Sequence, residues 1–153
     1  MKATTLILIV AAALSLAGLG SALASGGSAS RAATVSTAKT KLGRVIVNGS
    51  GRTLYLFEKD KHGKSACSGA CAAYWPPLLT HGKPMAAGGA MRALLGTIKR
   101  SNGSRQVTYA GHPLYTFIED MRRGQTKGEG STLFGAGWDA LTPSGKKIES
   151  DGD

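Results

Sequence analysis

The sequence predicts a mainly β fold, a small antiparallel sandwich or barrel built from two related halves, with one or two short helices. Three observations support this prediction. Short β-branched or alternating runs are separated by glycine-rich turns, which is typical of antiparallel strands. The decapeptide GRTLYLFEKD at 51–60 returns as GHPLYTFIED at 111–120. Helical periodicity is sparse along the rest of the chain.

The N-terminal segment, residues 1–24, has the features of a secretory signal peptide. Lys2 precedes an apolar run at 6–19, and the small-residue site Ala22-Leu23-Ala24 follows that run. We therefore expect an extracytoplasmic protein, periplasmic or secreted, that is cleaved at about Ala24. The apolar run is shorter than the ~20 residues of a membrane-spanning helix, so we expect a soluble mature chain. A lipid anchor would need a cysteine directly after the cleavage site, where serine stands, and no anchor is expected.

The mature chain is expected to contain one domain after a linker. Residues 25–41 are mostly Gly, Ser, Ala and Thr without strand or helix periodicity, which predicts a flexible linker. A single duplicated β domain is predicted over 42–149. Its first repeat covers about 43–80 and its second about 94–143.

The first repeat is predicted to begin with a hairpin. Residues 44–47 are β-branched, 48–51 read Asn-Gly-Ser-Gly, and 52–57 alternate. A short helix is predicted over 68–75, where the Pro76-Pro77 pair would end it.

The second repeat is predicted to form a meander of three short strands. These strands cover 96–100, 105–110 and 114–118, with turn residues between them. A second short helix is assigned to 91–95. Residues 122–137 are rich in glycine and polar residues and are predicted to form a long loop.

The repeated decapeptide places its aromatic residues on one face of a strand. Residues two apart in a strand share a face, so tyrosine and phenylalanine point the same way in each copy. An aspartate follows each phenylalanine by three residues, where the strand gives way to a turn. The motif residues are Tyr55, Phe57 and Asp60 in the first copy and Tyr115, Phe117 and Asp120 in the second.

Two interpretations of the motif stay open. Together with the downstream Trp75 and Trp138, the two aromatic sets would fill one shared core, with tyrosines and aspartates satisfying one another or the backbone. Alternatively, the two Tyr/Asp sets would converge on a cleft and form a binding site.

The pattern Tyr-x-aromatic-x-x-Asp resembles the bacterial secreted-repeat family, predicted lipoproteins without an established activity. The likeness covers nearly all of 43–143, including CSGACAAYWPPL and QVTYAGHPLYTF. The resemblance implies an exported, β-rich repeat protein and supplies no catalytic residue.

Cys67 and Cys71 are the only cysteines. An even count in an exported chain predicts one disulfide, whose role would be to fix the turn that brings Trp75 to the core. A copper or zinc site that adds His62 and His81 is the alternative, and a redox-active disulfide is a third interpretation.

Charge and composition limit the classes of function. Removing Lys2 from 19 basic residues leaves 18 against 9 acidic ones, a mature net charge of about +9, which favours anionic envelope components as partners. Export argues against nucleic acid. We expect a non-enzymatic envelope or secreted repeat protein with a binding or structural role and no cofactor. The alternatives are a periplasmic copper- or haem-associated protein using Cys67 and Cys71, and a polymer-cleaving enzyme using Asp60 and Asp120.

Overall fold

The structure, a computed structural model, describes residues 31–149. The predicted signal peptide and the first part of the predicted linker, 25–30, lie outside the described residues. The described part is mainly β and consists of several small sheets with few short helices. The sheets within 31–149 do not close into a barrel.

The elements alternate between short strands and irregular loops. The strands are β1 (Thr34–Thr40), β2 (Gly43–Asn48), β3 (Tyr55–Phe57), β4 (Met85–Ala86), β5 (Leu95–Lys99), β6 (Arg105–Tyr109), β7 (His112–Pro113) and β8 (Trp138–Ala140). The helices are α1 (Ala70–Tyr74) and the 3-10 turns Arg92–Leu94 and Leu133–Gly135.

Three sheets organise these strands. The first has the order β2-β1-β4, in which β1 is antiparallel to β2 and parallel to β4. The second is the antiparallel meander β5-β6-β7, which confirms the first two strands predicted for the second repeat. The third strand, predicted over 114–118, is wrong in position: β7 lies in the predicted turn, and Tyr115 makes only isolated bridges to Tyr55 and Pro77. The third sheet pairs β3 with β8, which lie more than 80 residues apart in sequence.

The prediction of a flexible linker over 25–41 is wrong for its second part, because β1 lies there. Thr34, Val35, Thr37 and Thr40 are β-branched and suit a pleated strand. The ladder with β2 runs from Val35 opposite Asn48 to Thr40 opposite Gly43 and satisfies the backbone of the segment. Val35 is fully buried in the core, so β1 belongs to the domain.

The predicted hairpin over 44–57 is only partly correct. The turn forms, since the Gly51 amide donates to the Asn48 carbonyl at 2.9 Å and Thr53 bridges Val47. Beyond this turn the chain leaves β2, whose main partner is β1, and β3 pairs with β8. The predicted helix over 68–75 shortens to α1, since Gly69 before it adopts a positive φ of 56°. The helix predicted over 91–95 is one 3-10 turn.

The two repeats exchange their C-terminal segments. After the first repeat's tryptophan, the Leu78 amide donates to the Leu114 carbonyl and the Leu78 carbonyl accepts from the Val107 amide, both at 2.8 Å. In the second repeat the segment after β8 returns to the first, where the Ile46 amide donates to the Leu141 carbonyl at 2.9 Å. Each repeat therefore completes the strand pairing of the other.

The exchange encloses a core with an aromatic and an aliphatic part. The aromatic part contains Tyr55, Phe57, Trp75, Tyr115, Phe117 and Trp138 together with Cys67 and Cys71. The aliphatic part contains Val35, Ile46, Leu54, Leu56, Val107, Leu114 and Leu141, with Tyr109. The aromatic part is where the two decapeptides meet.

Candidate functional site

The two decapeptides meet at their tyrosines. The Tyr55 amide donates to the Tyr115 carbonyl at 2.8 Å, and the Tyr115 amide donates to the Tyr55 carbonyl at 3.0 Å. This reciprocal pair is an antiparallel bridge, in which the two residues exchange both backbone hydrogen bonds, and here the two residues are the equivalent tyrosines of the two copies. An approximate two-fold axis thus passes between the two tyrosines.

The side chains of the motif cross this axis. The Tyr55 hydroxyl donates to Asp120 Oδ2 at 2.5 Å, and the Tyr115 hydroxyl donates to Asp60 Oδ2 at 2.8 Å. Each tyrosine therefore binds the aspartate of the other copy. These are hydrogen bonds to charged acceptors, the stronger class in proteins.

The second oxygen of each aspartate closes the loop that follows it. Asp60 Oδ1 accepts from the Ala66 amide at 2.7 Å, and Asp120 Oδ1 accepts from the Lys127 amide at 2.8 Å. Both carboxylates thus hold a tyrosine on one side and a loop amide on the other. The predicted placement of the aspartates at strand ends, where free amides need acceptors, agrees with this geometry.

Burial governs the protonation of the four groups. Burial and the bonded carboxylate raise the pKa of Tyr55, and burial together with Asp60 raises that of Tyr115. Burial also raises the pKa of Asp60 and of Asp120, although the amide and tyrosine hydrogen bonds oppose that effect. The phenols therefore stay protonated and remain donors throughout the physiological pH range.

A column of four aromatic rings lies beside the tyrosines. Phe57 stacks on Trp138 with ring centroids 4.0 Å apart, Trp138 stacks on Trp75 at 3.9 Å, and Trp75 stacks on Phe117 at 4.3 Å. The two-fold relationship holds here as well, since the tryptophans form the centre of the column and the phenylalanines its ends. Each phenylalanine contacts the tryptophan of the other repeat.

The tyrosine rings pack edge-on against this column. Tyr55 meets Trp75 with centroids 5.4 Å apart and an interplanar angle of 80°, and Tyr115 meets Trp138 at 5.2 Å and 87°. Such edge-to-face contacts add to the energy of burial. One asymmetry remains in the column, because the Trp138 indole donates to the Leu133 carbonyl at 2.8 Å whereas the buried Trp75 Nε1 has no partner.

The structure brings the six motif residues together, and five of them are buried. Asp60 alone is partly exposed, at the edge of a cavity of about 810 Å³ that His112 also lines. Asp120 is fully buried, so the two aspartates do not face a common cleft. The acid-pair mechanism considered for an enzyme requires such a cleft.

The cavity beside Asp60 carries both signs of charge. Burial lowers the pKa of His112, and the Asp60 carboxylate opposes this shift. Lys147 Nζ pairs with Glu58 Oε1 at 2.8 Å at the rim and lowers the pKa of that carboxyl. The pair is exposed on both sides, and such surface pairs contribute little to stability.

A polar network on the Asp60 side of the axis was missed by sequence reasoning. The Ser65 hydroxyl lies 2.7 Å from that of Tyr115 and accepts from Arg100 Nη1 at 2.9 Å. Arg100 also donates to Gln106 Oε1 and to the Cys67 carbonyl, both at 2.6 Å. The sequence carries no local signal for this network, because its members come from separate loops and strands.

The cysteines form the predicted disulfide, with Cα atoms 5.2 Å apart. In this oxidised state the two sulfurs are bonded to each other, so a copper or zinc site would first require reduction. His62 lies in the exposed turn between Lys61 and Lys64, and His81 is also exposed. Among residues 31–149 no three His, Cys, Asp or Glu side chains converge in a way that would hold a metal ion.

Comparison with protein families gives one result. A family model described as a secreted repeat of unknown function matches the chain twice, over residues 36–79 and 96–142. The two matches coincide with the two structural repeats, and the first includes most of β1. No curated protein and no solved structure matches significantly. None of the helices within 31–149 has the length and hydrophobicity needed to span a membrane.

Proposed function

This chain belongs to the family of secreted repeats of unknown function, and from that premise we propose a non-enzymatic binding protein of the extracytoplasmic space. The two interlocked repeats form a rigid scaffold, and the basic surface of this scaffold holds anionic polymers of the cell envelope. Cleavage of the signal peptide at about Ala24 releases the mature chain.

The crossed Tyr–Asp pairs are the observation that carries the proposal. A catalytic acid, base or nucleophile must reach a substrate in a cleft. Tyr55, Tyr115 and Asp120 are fully buried and hydrogen-bonded to one another's repeats. The polar groups of the motif are used to join the two halves, which supports a structural role for the motif and a binding role for the surface.

The charge of the mature chain supports an anionic ligand. About nine more basic than acidic side chains remain after loss of Lys2. Within the described residues only Lys147 is ion-paired, with Glu58. The remaining cations are free to attract polyanions over roughly a Debye length, about 8 Å at physiological ionic strength.

Binding to a model polyanion tests this function. We expect the mature protein to bind dextran sulfate and not neutral dextran of equal size. Binding should weaken steadily with added salt and vanish near 1 M, where the Debye length falls to about 3 Å. Equal retention on both polymers, or retention that salt does not change, would exclude the proposed electrostatic function.

A further inference from the structure

We infer that the cavity between the disulfide loop and the end of β5 is a binding site for a phosphate or sulfate monoester. It has a volume of about 470 Å³ and its polar lining consists of Lys64, Ser65, Ser68, Lys99, Arg100 and Ser101. This inference rests on the proposed function and adds the place and the chemistry of recognition. The volume falls within the ~300–1,000 Å³ range of small-molecule sites.

Charge distinguishes this cavity from the one beside Asp60. Its lining contains three cations, Lys64, Lys99 and Arg100, and no carboxylate. None of these three forms an ion pair within residues 31–149. The cavity beside Asp60 has three carboxylates and three lysines on its walls, together with His112. A concave surface lined only by positive charges concentrates the positive electrostatic potential and favours a multiply charged anion.

Arg100 is fixed in place before any ligand arrives. Its guanidinium donates to Ser65 Oγ at 2.9 Å, to Gln106 Oε1 at 2.6 Å and to the Cys67 carbonyl at 2.6 Å. Gln106 is itself held by the Leu114 carbonyl at 2.8 Å. All three acceptors are neutral, so the positive charge is not cancelled, and two of the five guanidinium N–H groups remain free. Such preorganisation lowers the entropic cost of binding.

The walls add hydroxyl donors to the three cations. Ser68 and Ser101 line the cavity, and serine hydroxyls can donate to oxyanion oxygens. The third serine of the lining, Ser65, donates its hydrogen to the Tyr115 hydroxyl, because the Tyr115 hydrogen is donated to Asp60. The disulfide bridges Cys67 to Cys71 and holds the wall that carries Ser68. An arginine fork with two lysines and hydroxyls suits the tetrahedral, doubly charged group of a phosphate monoester.

The Asp60 carboxylate is linked to Arg100 through the Tyr115 and Ser65 hydroxyls. The Arg100 charge lowers the pKa of Asp60, although burial raises it more strongly. Because Asp60 does not line the cavity, it reduces the attraction of the site without blocking it.

Amide chemical shifts measured during ligand titration test the site directly. We expect inorganic phosphate and glycerol phosphate to shift the amides of 64–68 and 99–101 in the mature protein. The variant Lys64→Gln/Lys99→Gln should weaken binding about tenfold, equivalent to about 1.4 kcal/mol. The control Lys41→Gln/Lys59→Gln removes the same charge outside the cavity and should weaken it less than about twofold.

Two further measurements distinguish a lipid-bound ligand from a free one, and distinguish failure of this site from failure of the proposed function. Binding to phosphatidic acid vesicles but not phosphatidylcholine vesicles, lost in the Lys64→Gln/Lys99→Gln variant, would assign the monoester to a lipid headgroup. Soluble esters binding without vesicles would assign it to a free ligand. Equal weakening in both variants, or the absence of localised shifts with every probe, overturns the site. Dextran sulfate binding that persists in that case leaves the proposed function standing.

Discussion

The Tyr55 hydroxyl donates to the carboxylate of Asp120, across the boundary between the repeats, at 2.5 Å. Tyr115 makes the counterpart bond to Asp60 at 2.8 Å. Each decapeptide thus supplies the acceptor that the other needs. The repeats are therefore two halves of one core, and the duplication of the motif has a direct structural reason.

The crossed pairing predicts which double substitutions interact. Tyr55→Phe leaves Asp120 buried without its hydroxyl donor, and we expect a loss of about 1.5–3 kcal/mol in the free energy of unfolding. Adding Asp120→Asn should cost much less than the two single effects combined, with a coupling of about 0.5–3 kcal/mol. Urea unfolding of the four proteins in the cycle measures this coupling.

The pair from within one copy is the control for that cycle. Tyr55 and Asp60 make no hydrogen bond to each other. The effects of Tyr55→Phe and Asp60→Asn on the free energy of unfolding should therefore be closer to additive. Stronger coupling within a copy than across copies would contradict the crossed arrangement.

Packing against the aromatic column requires a glycine at position 128, in the loop over 122–137. A Cβ at Gly128 would lie 2.7 Å from the Trp75 ring and 2.9 Å from the Tyr55 ring. Gly128→Ala should therefore destabilise by about 1–3 kcal/mol through overpacking. Gly82→Ala is the matched control, since its nearest neighbour is a methyl group 3.8 Å away. Thermal unfolding followed by circular dichroism compares the two, and equal midpoints would show that the rings move aside.

The disulfide closes a short loop, and its contribution should be correspondingly small. Cys67 and Cys71 are four residues apart, for which chain entropy gives about 2 kcal/mol. We expect reductant to lower the free energy of unfolding by about that amount. The variant Cys67→Ser/Cys71→Ser should resemble the reduced protein and show no response to reductant. Equal stability of the wild-type protein with and without reductant would contradict a stabilising role for the disulfide.

Asp139 should make the protein less stable as pH rises. Burial raises the pKa of this carboxyl, with Glu58 adding to the shift and Lys147 opposing it, and its Oδ2 has no hydrogen-bond partner. The native state then binds more protons than the unfolded state between the two pKa values. Stability therefore falls as pH rises through the folded pKa, and the penalty is complete above it.

The substitution Asp139→Asn removes this penalty. Relative to wild type, the variant should gain stability between about pH 4, near the unfolded pKa, and about pH 8. Glu119→Gln, at an exposed position, controls for the loss of one negative charge. Urea unfolding at both pH values measures the trend, and a difference between variant and wild type that does not change with pH would contradict it.

Local sequence patterns were sufficient for much of the fold. Alternation in the decapeptides identified which side chains share a face, and this face is the aromatic core. Turn residues around Asn102 identified the β5-β6 hairpin, because turn chemistry and strand periodicity act over a few residues. The even cysteine count identified the disulfide.

Only the tertiary structure decided which segments became partners. Residues 34–40 resembled a linker by composition and form a strand because β2 supplies partners for their backbone hydrogen bonds. The exchange of tails, the crossing of Tyr55 to Asp120 and the contacts of Arg100 with Ser65 and Gln106 all join distant parts of the chain. The physical reason is that the sequence encodes faces and turns locally, whereas the choice of partner depends on the free energy of enclosing one core shared by both repeats.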